Sequence, residues 1–388
     1  MPVINRFAEM LPEISAWRRD IHAHPELRFE EHRTAAFVAA KLEEFGCDEV
    51  LTGFGGTGVV GVLNGKSGTA GKTIGFRADM DALPIQEATG LPHASTIPGK
   101  MHACGHDGHT SMLLGAAKYL AETRNFDGRI VLAFQPAEEG GGGARAMIEA
   151  GLMDRWAIEE IYGMHNMPGM AVGEFAVRTG PQMASPDKFE ITVRGTGGHG
   201  AMPHKGVDTT LVAAQIVVAL QSIVSRNIDP MDRVVVSVCG FRTETATYNV
   251  IPDSAKLLGT VRTFDPKVQQ QVRARIDALA TATALGYGAV AEVTHISGPP
   301  PLVNHAREAD LAAEVAEVIA GVAHRDLDPI MAGEDFSEML LERPGAYLFI
   351  GNGDSADLHN PHYEFNDEVI PAGCSWFVTM AERRLPLA

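Results

Sequence analysis

The sequence predicts an α/β protein of two domains, a large discontinuous one interrupted by a smaller α+β one. Three observations lead there. Short apolar runs between glycines alternate with helical stretches up to about residue 183, as in a sheet covered by helices on both faces. From 184 to 296 the order becomes β-α-β-β-α-β, the ferredoxin-like split unit. Beyond the proline-rich stretch SGPPPLVN (297–304) the α/β pattern resumes. The expected division is therefore 1–183 with 297–388, and 184–296 as the insert.

The elements follow in order. Asn5 to about His22 reads as a helix stopped near Pro25, and about Glu30 to Phe45 as a second closed by Gly46. TGVVGVLNG and TIGFRAD read as strands. After CGHDGH, TSMLLGAAKYLAE is helical, GRIVLAFQPAEE a buried strand, ARAMIEAGL a helix and IEEIYGMHN a strand. In the insert, DKFEITVRG alternates as a strand and Thr209–Ser225 is a helix. DRVVVSVCGFR and SAKLLGTVRTF are strand-like, a helix runs from Pro266 to about Leu285, and AVAEVTHIS closes the unit. The return segment holds a helix over 306–322, the strand GAYLFIG and a helix near the C-terminus.

Composition narrows the function. The chain has 388 residues, 45% hydrophobic and 21% charged, enough for a large core. A net charge of −17 repels phosphate backbones, so no nucleic-acid partner is expected. Cys47, Cys104, Cys239 and Cys374 are far apart and form no C-x-x-C, which fits a reducing compartment. The first twenty residues show neither a basic start nor an apolar run, so no signal peptide is expected. TTLVAAQIVVALQSIV (209–224) is interrupted by Gln215 and Gln221 and reads as too short and polar to cross a bilayer. A soluble cytoplasmic protein without a membrane partner is expected.

Three glycine-rich stretches mimic nucleotide motifs. GFGGTG (53–58) is followed by a strand-like run, and GTGGHG (195–200) runs into Pro203 with no acidic residue about 20 positions on. GTAGKT (68–73) has Lys66 where a phosphate-binding loop needs glycine. None provides the strand-to-helix turn that places pyrophosphate on a helix N-terminus.

The stretch HACGHDGHT (102–110) is different. Cys104 and His106 are two apart, so in extended backbone both project to one side. Thiolate and imidazole suit a borderline transition ion such as zinc and tolerate manganese. QPAEEGGGGA (135–144) ends a buried strand with Glu138 and Glu139. Neighbours on a strand point to opposite sides, so one carboxylate is free to bind metal while the other faces a substrate. GMHNMP puts His165 at another strand end, and LHNPHYEFND puts His359 and His362 in a late loop. Singly, each histidine reads as a packed or surface residue. Together they gather at strand ends of the large domain, where open α/β sheets build their sites.

These stretches, with RRDIHAHPEL (18–27), RADMDALPI (77–85), GGHGAMPH (197–204) and AGEDFS (332–337), resemble the M20 metallopeptidase superfamily. The nearer resemblance is to its hippurate hydrolases, N-acyl-amino-acid amidohydrolases and auxin-conjugate hydrolases. It implies a three-layer, two-metal peptidase-like (phosphorylase/hydrolase-like) catalytic domain with an inserted lid. It implies that Cys104, His106, Glu139, His165 and His359 hold two divalent ions, Mn2+ or Zn2+, with Co2+ or Ni2+ as further candidates and Cys104 a candidate bridge. Glu138 would be the general base and acid that directs a metal-activated water onto an amide. Asp81 would support the metal shell or cap a loop, His102 and His109 would be structural, and His362 would not be a ligand.

On the lid, the resemblance makes His199 the donor to the tetrahedral oxyanion, supplied by the partner subunit of a homodimer or dimer of dimers. Asn249 and Arg262 are the candidates to hold a substrate carboxylate, since arginine grips one through two parallel hydrogen bonds. The expected activity is hydrolysis of small N-acyl or N-aroyl amino acids. A dipeptidase or carboxypeptidase, an N-acetyl-diaminopimelate deacetylase and a non-catalytic metal- or ligand-binding module stand as alternatives.

Overall fold

A computed structural model describes residues 3–66, 68 and 71–387. Met1 and Pro2 of the N-terminal stretch, and Thr69 and Ala70 of GTAGKT, lie outside the described residues. The chain divides into two compact units. One comprises Met1–Gly180, Val303–Asp328 and Asp335–Ala388; the other comprises Pro181–Leu302 and Pro329–Glu334. The short return of Pro329–Glu334 to the second unit leaves no mark in the sequence pattern.

The first unit is built on an eight-stranded sheet. Its centre is parallel: Thr73–Asp79 pairs with both Arg129–Gln135 and Glu160–Pro168, and Gly345–Gly353 pairs with Glu160–Pro168. Antiparallel strands Gly58–Asn64 and Glu49–Phe54 extend one edge. The strand Glu49–Phe54 was not expected, because it is half exposed and lacks an apolar run. The central strands are buried along almost their whole length, which is why they read as continuous apolar stretches rather than alternating ones.

Helices cover the sheet. Val3–Ala23, His106–Thr123 and Ile370–Arg384 pack with one another, and Ile14, Leu113, Phe76, Trp376 and Phe377 lie in one core. His32–Phe45 buries Val38, Ala39 and Leu42 and ends on Gly46 at φ +80°, a left-handed C-terminal residue that glycine adopts without steric cost. Helix, strand and helix follow the expected order, with ends moved by up to four residues.

The second unit has strands Ser185–Arg194, Val235–Thr243, Ser254–Thr263 and Val290–Ile296 in one antiparallel sheet. Helices Thr209–Leu220 and Pro266–Gly286 cover it. The first strand lies between the third and fourth, the ferredoxin-like order. Thr209–Arg226 is long and apolar enough to cross a membrane by length and composition, with mean hydropathy 1.4. It is nevertheless split at Gln221 into Thr209–Leu220 and Ser222–Arg226. Its Val212, Ala213, Ile216 and Leu220 belong to the core of this unit, which accounts for the apolar composition.

Candidate metal centre

The parallel strands Thr73–Asp79, Arg129–Gln135, Glu160–Pro168 and Gly345–Gly353 finish on the same side of the sheet. That side of an open α/β sheet is where the chain leaves room for a site. Asp79 and Asp81, Glu138 and Glu139, His165 and the loop with His359 all come from these strand ends.

Cys104 and His106 reach the same place by a turn, not by the extended backbone the spacing suggested. Gly105 has φ +90° and His106 opens the helix His106–Thr123. A Cβ on Gly105 would lie 2.2 Å from Asn166 Oδ1 and 2.7 Å from Tyr363 Oη. Only glycine fits both the conformation and the space.

Two imidazoles are fixed in matching fashion. His165 Nδ1 donates to Asn166 O at 2.7 Å, and His106 Nδ1 donates to Asp81 O at 2.8 Å. Held by Nδ1 in this way, each ring turns its Nε2 toward the site, the arrangement that orients histidine as a ligand. His165 Nε2 faces Cys104 Sγ at 3.3 Å. Burial, with His109 nearby, holds the His165 ring well below its usual range, so it stays neutral. Burial also pushes the Cys104 thiol up, and the Glu139 charge adds to it.

The two glutamates are a further correction. The strand ends at Gln135 and the pair sits in a turn, so strand alternation does not separate them. Ligand atoms of His106, Glu138 and Glu139 all lie within 4.8 Å of one another. Ala137 enters the turn at φ +55°, a left-handed conformation that costs a non-glycine residue on the order of 1 kcal/mol. Asp81 spans the turn: its carboxylate accepts the N–H of Glu138 and of Glu139, each at 3.0 Å.

His359 has φ +64° and its N–H donates to Ala103 O at 2.7 Å. Its Nε2 stands 3.1 Å from Glu139 Oε1. Hydrogen bonds to Cys104 and Glu139 raise this imidazole to about 10. Cys104, Glu139 and His359 form one set of ligand atoms within 4.8 Å, and Cys104, His106 and His165 form another.

These residues fit a divalent cation. The buried His106 Nε2 has no hydrogen-bond partner, an expensive condition for a buried polar atom, and Glu139 Oε1 meets only the His359 imidazole of the same cluster. A sulfur, imidazole nitrogens and carboxylate oxygens converge there, the donor set of a borderline transition ion.

Several residues of the site gave no clear signal in the sequence. Asp79 is fully buried beside His106, with its Oδ1 2.6 Å from His109 Nδ1. Burial works against its charge, but His106, Arg77 and His109 hold it well below the usual carboxylate range. His109 has both nitrogens engaged, by Asp79 and by Asn166 at 2.7 Å. Arg77 binds Asp79 at 2.8 Å, Gln135 at 2.8 Å and Asp335 at 3.2 Å. The signal available was charged residues inside an otherwise apolar strand, which demands partners. His102 is buried with neither ring nitrogen partnered, and burial, with His22 and His106 nearby and against the pull of Asp107, brings its pKa down to about 3. His362 is exposed.

In the second unit, His199 lies in the short strand Gly198–His199 paired with Val250–Ile251. It is exposed, and its Nδ1 accepts the Ala201 N–H at 3.0 Å. Asn249 is exposed, its carbonyl accepting the Gly200 N–H at 2.7 Å. Arg262 is half-buried; its Nε donates to Met331 O at 3.0 Å, and its Nη1 to Val261 O at 3.1 Å and to Thr260. Much of its guanidinium is therefore already engaged inside this unit.

The family model described as peptidase family M20/M25/M40 matches residues 75–383. The chain belongs to this family. It is an amidohydrolase of the M20 type. This M20 chain is 42% identical to a hippurate hydrolase of Campylobacter jejuni, over 99% of the chain and 100% of the relative. It is 43% identical to an N-acetyl-L-cysteine deacetylase of Bacillus subtilis, over 95% and 87%. Among solved structures, a dinuclear metal-binding M20 peptidase of Bacillus subtilis superposes on it with TM-score 0.85. That structure is 35% identical, with 97% of this chain and 99% of that one covered.

Proposed function

We propose that this protein hydrolyses the amide bond of N-acyl and N-aroyl amino acids of the hippurate kind, giving a carboxylic acid and a free amino acid. The observation that carries the reading is the convergence of Cys104, His106, Glu139, His165 and His359 with a further carboxylate, Glu138, beside His106 and Glu139. A purely structural metal site has no use for that extra acid. The names of the Campylobacter and Bacillus relatives, a hippurate hydrolase and a deacetylase of an N-acetyl amino acid, support the substrate class.

Those five residues would hold two divalent cations, Mn2+ or Zn2+, in two sets sharing Cys104. Bound cations would supply Lewis acidity, easing loss of a proton from water and polarising the scissile carbonyl. Glu138 takes the proton of the attacking water and returns it to the leaving amine. Asp81 keeps Glu138 and Glu139 in register through their backbone N–H groups. His199 donates to the carbonyl oxygen as negative charge develops there. Asn249 and Arg262 hold the free carboxylate of the amino acid, with Arg262 giving up part of its present bonding to do so. We further infer a cytoplasmic homodimer or dimer of dimers through the second unit, with His199 serving the partner subunit.

The test is Glu138→Gln assayed for metal content and for hippurate turnover together. The expected result is two ions per subunit in both proteins and a loss of about 10²–10⁴-fold in kcat. Ordinary kcat in the variant would remove Glu138 from the reaction. Metal-loaded parent enzyme inert toward a panel of N-benzoyl and N-acetyl amino acids would overturn the substrate class.

A further inference from the structure

The glycine-rich stretch GFGGTG (53–58) has no place in the reaction described so far, yet it lies against the turn that carries Glu138 and Glu139. A Cβ on Gly58 would meet Phe54 O at 2.4 Å and Pro136 Cδ at 3.1 Å, so glycine lets this loop close on the residues just before the turn. Thr57, beside it, is buried and donates its hydroxyl to Glu31.

Glu31 is fully buried. It stands at the N-cap of the helix His32–Phe45, but its side chain makes no capping bond there. One carboxylate oxygen takes the Thr57 hydroxyl; the other accepts the Ala137 N–H at 2.9 Å. Ala137 is the residue at φ +55°. The next two N–H groups, of Glu138 and Glu139, go to Asp81. Three successive amides are thus each fixed by an acid reaching in from another part of the chain. Burying a carboxylate is costly unless its hydrogen bonds are met, and these bonds are directed at an unfavourable backbone conformation. Such strain persists only where the surroundings over-determine it.

We propose that Glu31, seated by Thr57 and the glycine-rich loop, is a positioning residue that holds Ala137 left-handed and thereby aims the Glu138 carboxylate. This rests on the reading of Glu138 as the general base. Glu31 touches neither substrate nor cation; it acts through the backbone. Loss of the bond lets the turn relax, and a small displacement of a reacting group is enough to cost turnover.

The experiment compares Glu31→Ala, Glu31→Gln and Thr57→Val with Glu138→Gln in the metal-loaded enzyme. Glu31→Ala is expected to lower kcat about 30-fold with KM within about 3-fold, the signature of a lost transition-state interaction. The amide oxygen of Gln accepts the same N–H, so Glu31→Gln recovers most of kcat. Independently of turnover, hydrogen exchange in the peptide around Ala137 should quicken at least about tenfold in Glu31→Ala and not in Glu31→Gln. A tie that only stabilises the fold would lower the melting temperature and leave kcat of the folded fraction at the parental value. That result, with Glu138→Gln inactive, overturns this proposal alone. Turnover retained by Glu138→Gln overturns the reading of the base and this proposal with it. If Glu31→Ala does not fold, Thr57→Val, which removes one of the two Glu31 bonds, takes its place: a several-fold fall in kcat supports the proposal, and parental kcat overturns it.

Discussion

Asp81 and Glu139 are joined through the backbone, the Asp81 carboxylate accepting the Glu139 N–H at 3.0 Å while its other oxygen accepts that of Glu138. One acid therefore orients both glutamates, and its own carbonyl orients the His106 ring. Asp81→Asn keeps the shape but offers one acceptor and an NH2 group, so one of the two N–H groups is left facing a donor. Such a loss costs about 1–3 kcal/mol. Divalent-ion affinity should fall about 10–100-fold, as read by calorimetric titration of the metal-stripped protein. Parental affinity would show that the turn holds its shape without this acid.

Gly105→Ala tests the turn between Cys104 and His106. The added carbon would sit within 2.7 Å of both Asn166 Oδ1 and Tyr363 Oη, on a residue at φ +90°. Neither neighbour can retreat easily, since Tyr363 and Asn166 are buried and bonded to each other at 2.5 Å. A loss of about 3 kcal/mol in unfolding free energy is expected, together with metal content below that of the parent. Urea denaturation and elemental analysis read the two effects separately.

Acid stability should depend on Glu160. Its buried carboxylate receives bonds from Arg384 at 2.8 Å, Tyr162 at 2.9 Å and Lys72. Burial opposes its charge, and Arg384, Lys72 and Tyr162 outweigh that, bringing its pKa down to about 2. A depressed folded-state pKa gives stability that is complete above the ordinary glutamate range and is lost as pH falls toward 2. At neutral pH, Glu160→Gln should cost about 3 kcal/mol. Its melting temperature should also fall less steeply than the parent's between pH 5 and 2, and parallel curves would refute the assignment.

Alkaline stability should depend on His22. Its Nδ1 lies 2.9 Å from Asp107 Oδ2 and its Nε2 lies 3.3 Å from Glu87 Oε2. Burial and the neighbouring Arg18 disfavour its charge, but Asp107 and Glu87 prevail and raise it to about 9. The sign is opposite to that of Glu160. The contribution is whole below about pH 6.5 and disappears as pH climbs through 9. His22→Gln should be less stable than the parent at pH 7 and approach it near pH 10, in melting curves taken across that range.

The sequence made the layer order legible because buried parallel strands and amphipathic helices carry different periods. The ligand-type residues were legible because histidine, cysteine and paired acids stand out at strand ends. Turn geometry was not. Neither the left-handed Gly105 nor the left-handed Ala137 follows from spacing, and both reverse the direction that an extended chain would give its side chains. Glu31, Asp79 and Asp335 were missed for another reason. Their partners, Ala137, His109 and Arg77, are 106, 30 and 258 positions away, and local patterns carry no record of such pairings. The edge strand Glu49–Phe54 shows the same limit, since pairing with Gly58–Asn64 rather than intrinsic apolarity makes it a strand.

The interruption of the first unit has a consequence for biosynthesis. An interior strand of its sheet, Gly345–Gly353, pairs in parallel with Glu160–Pro168, Phe349 opposite His165. On the ribosome the nascent chain must wait for nearly two hundred further residues before that neighbour exists. Until then the edge beside His165 is unpaired and open to misassociation. His359 arrives later still. In the reading proposed above, with His359 among the ligands, the ion set would be complete only after synthesis, and overproduction at lowered synthesis rate or with chaperone support should raise the yield of loadable protein.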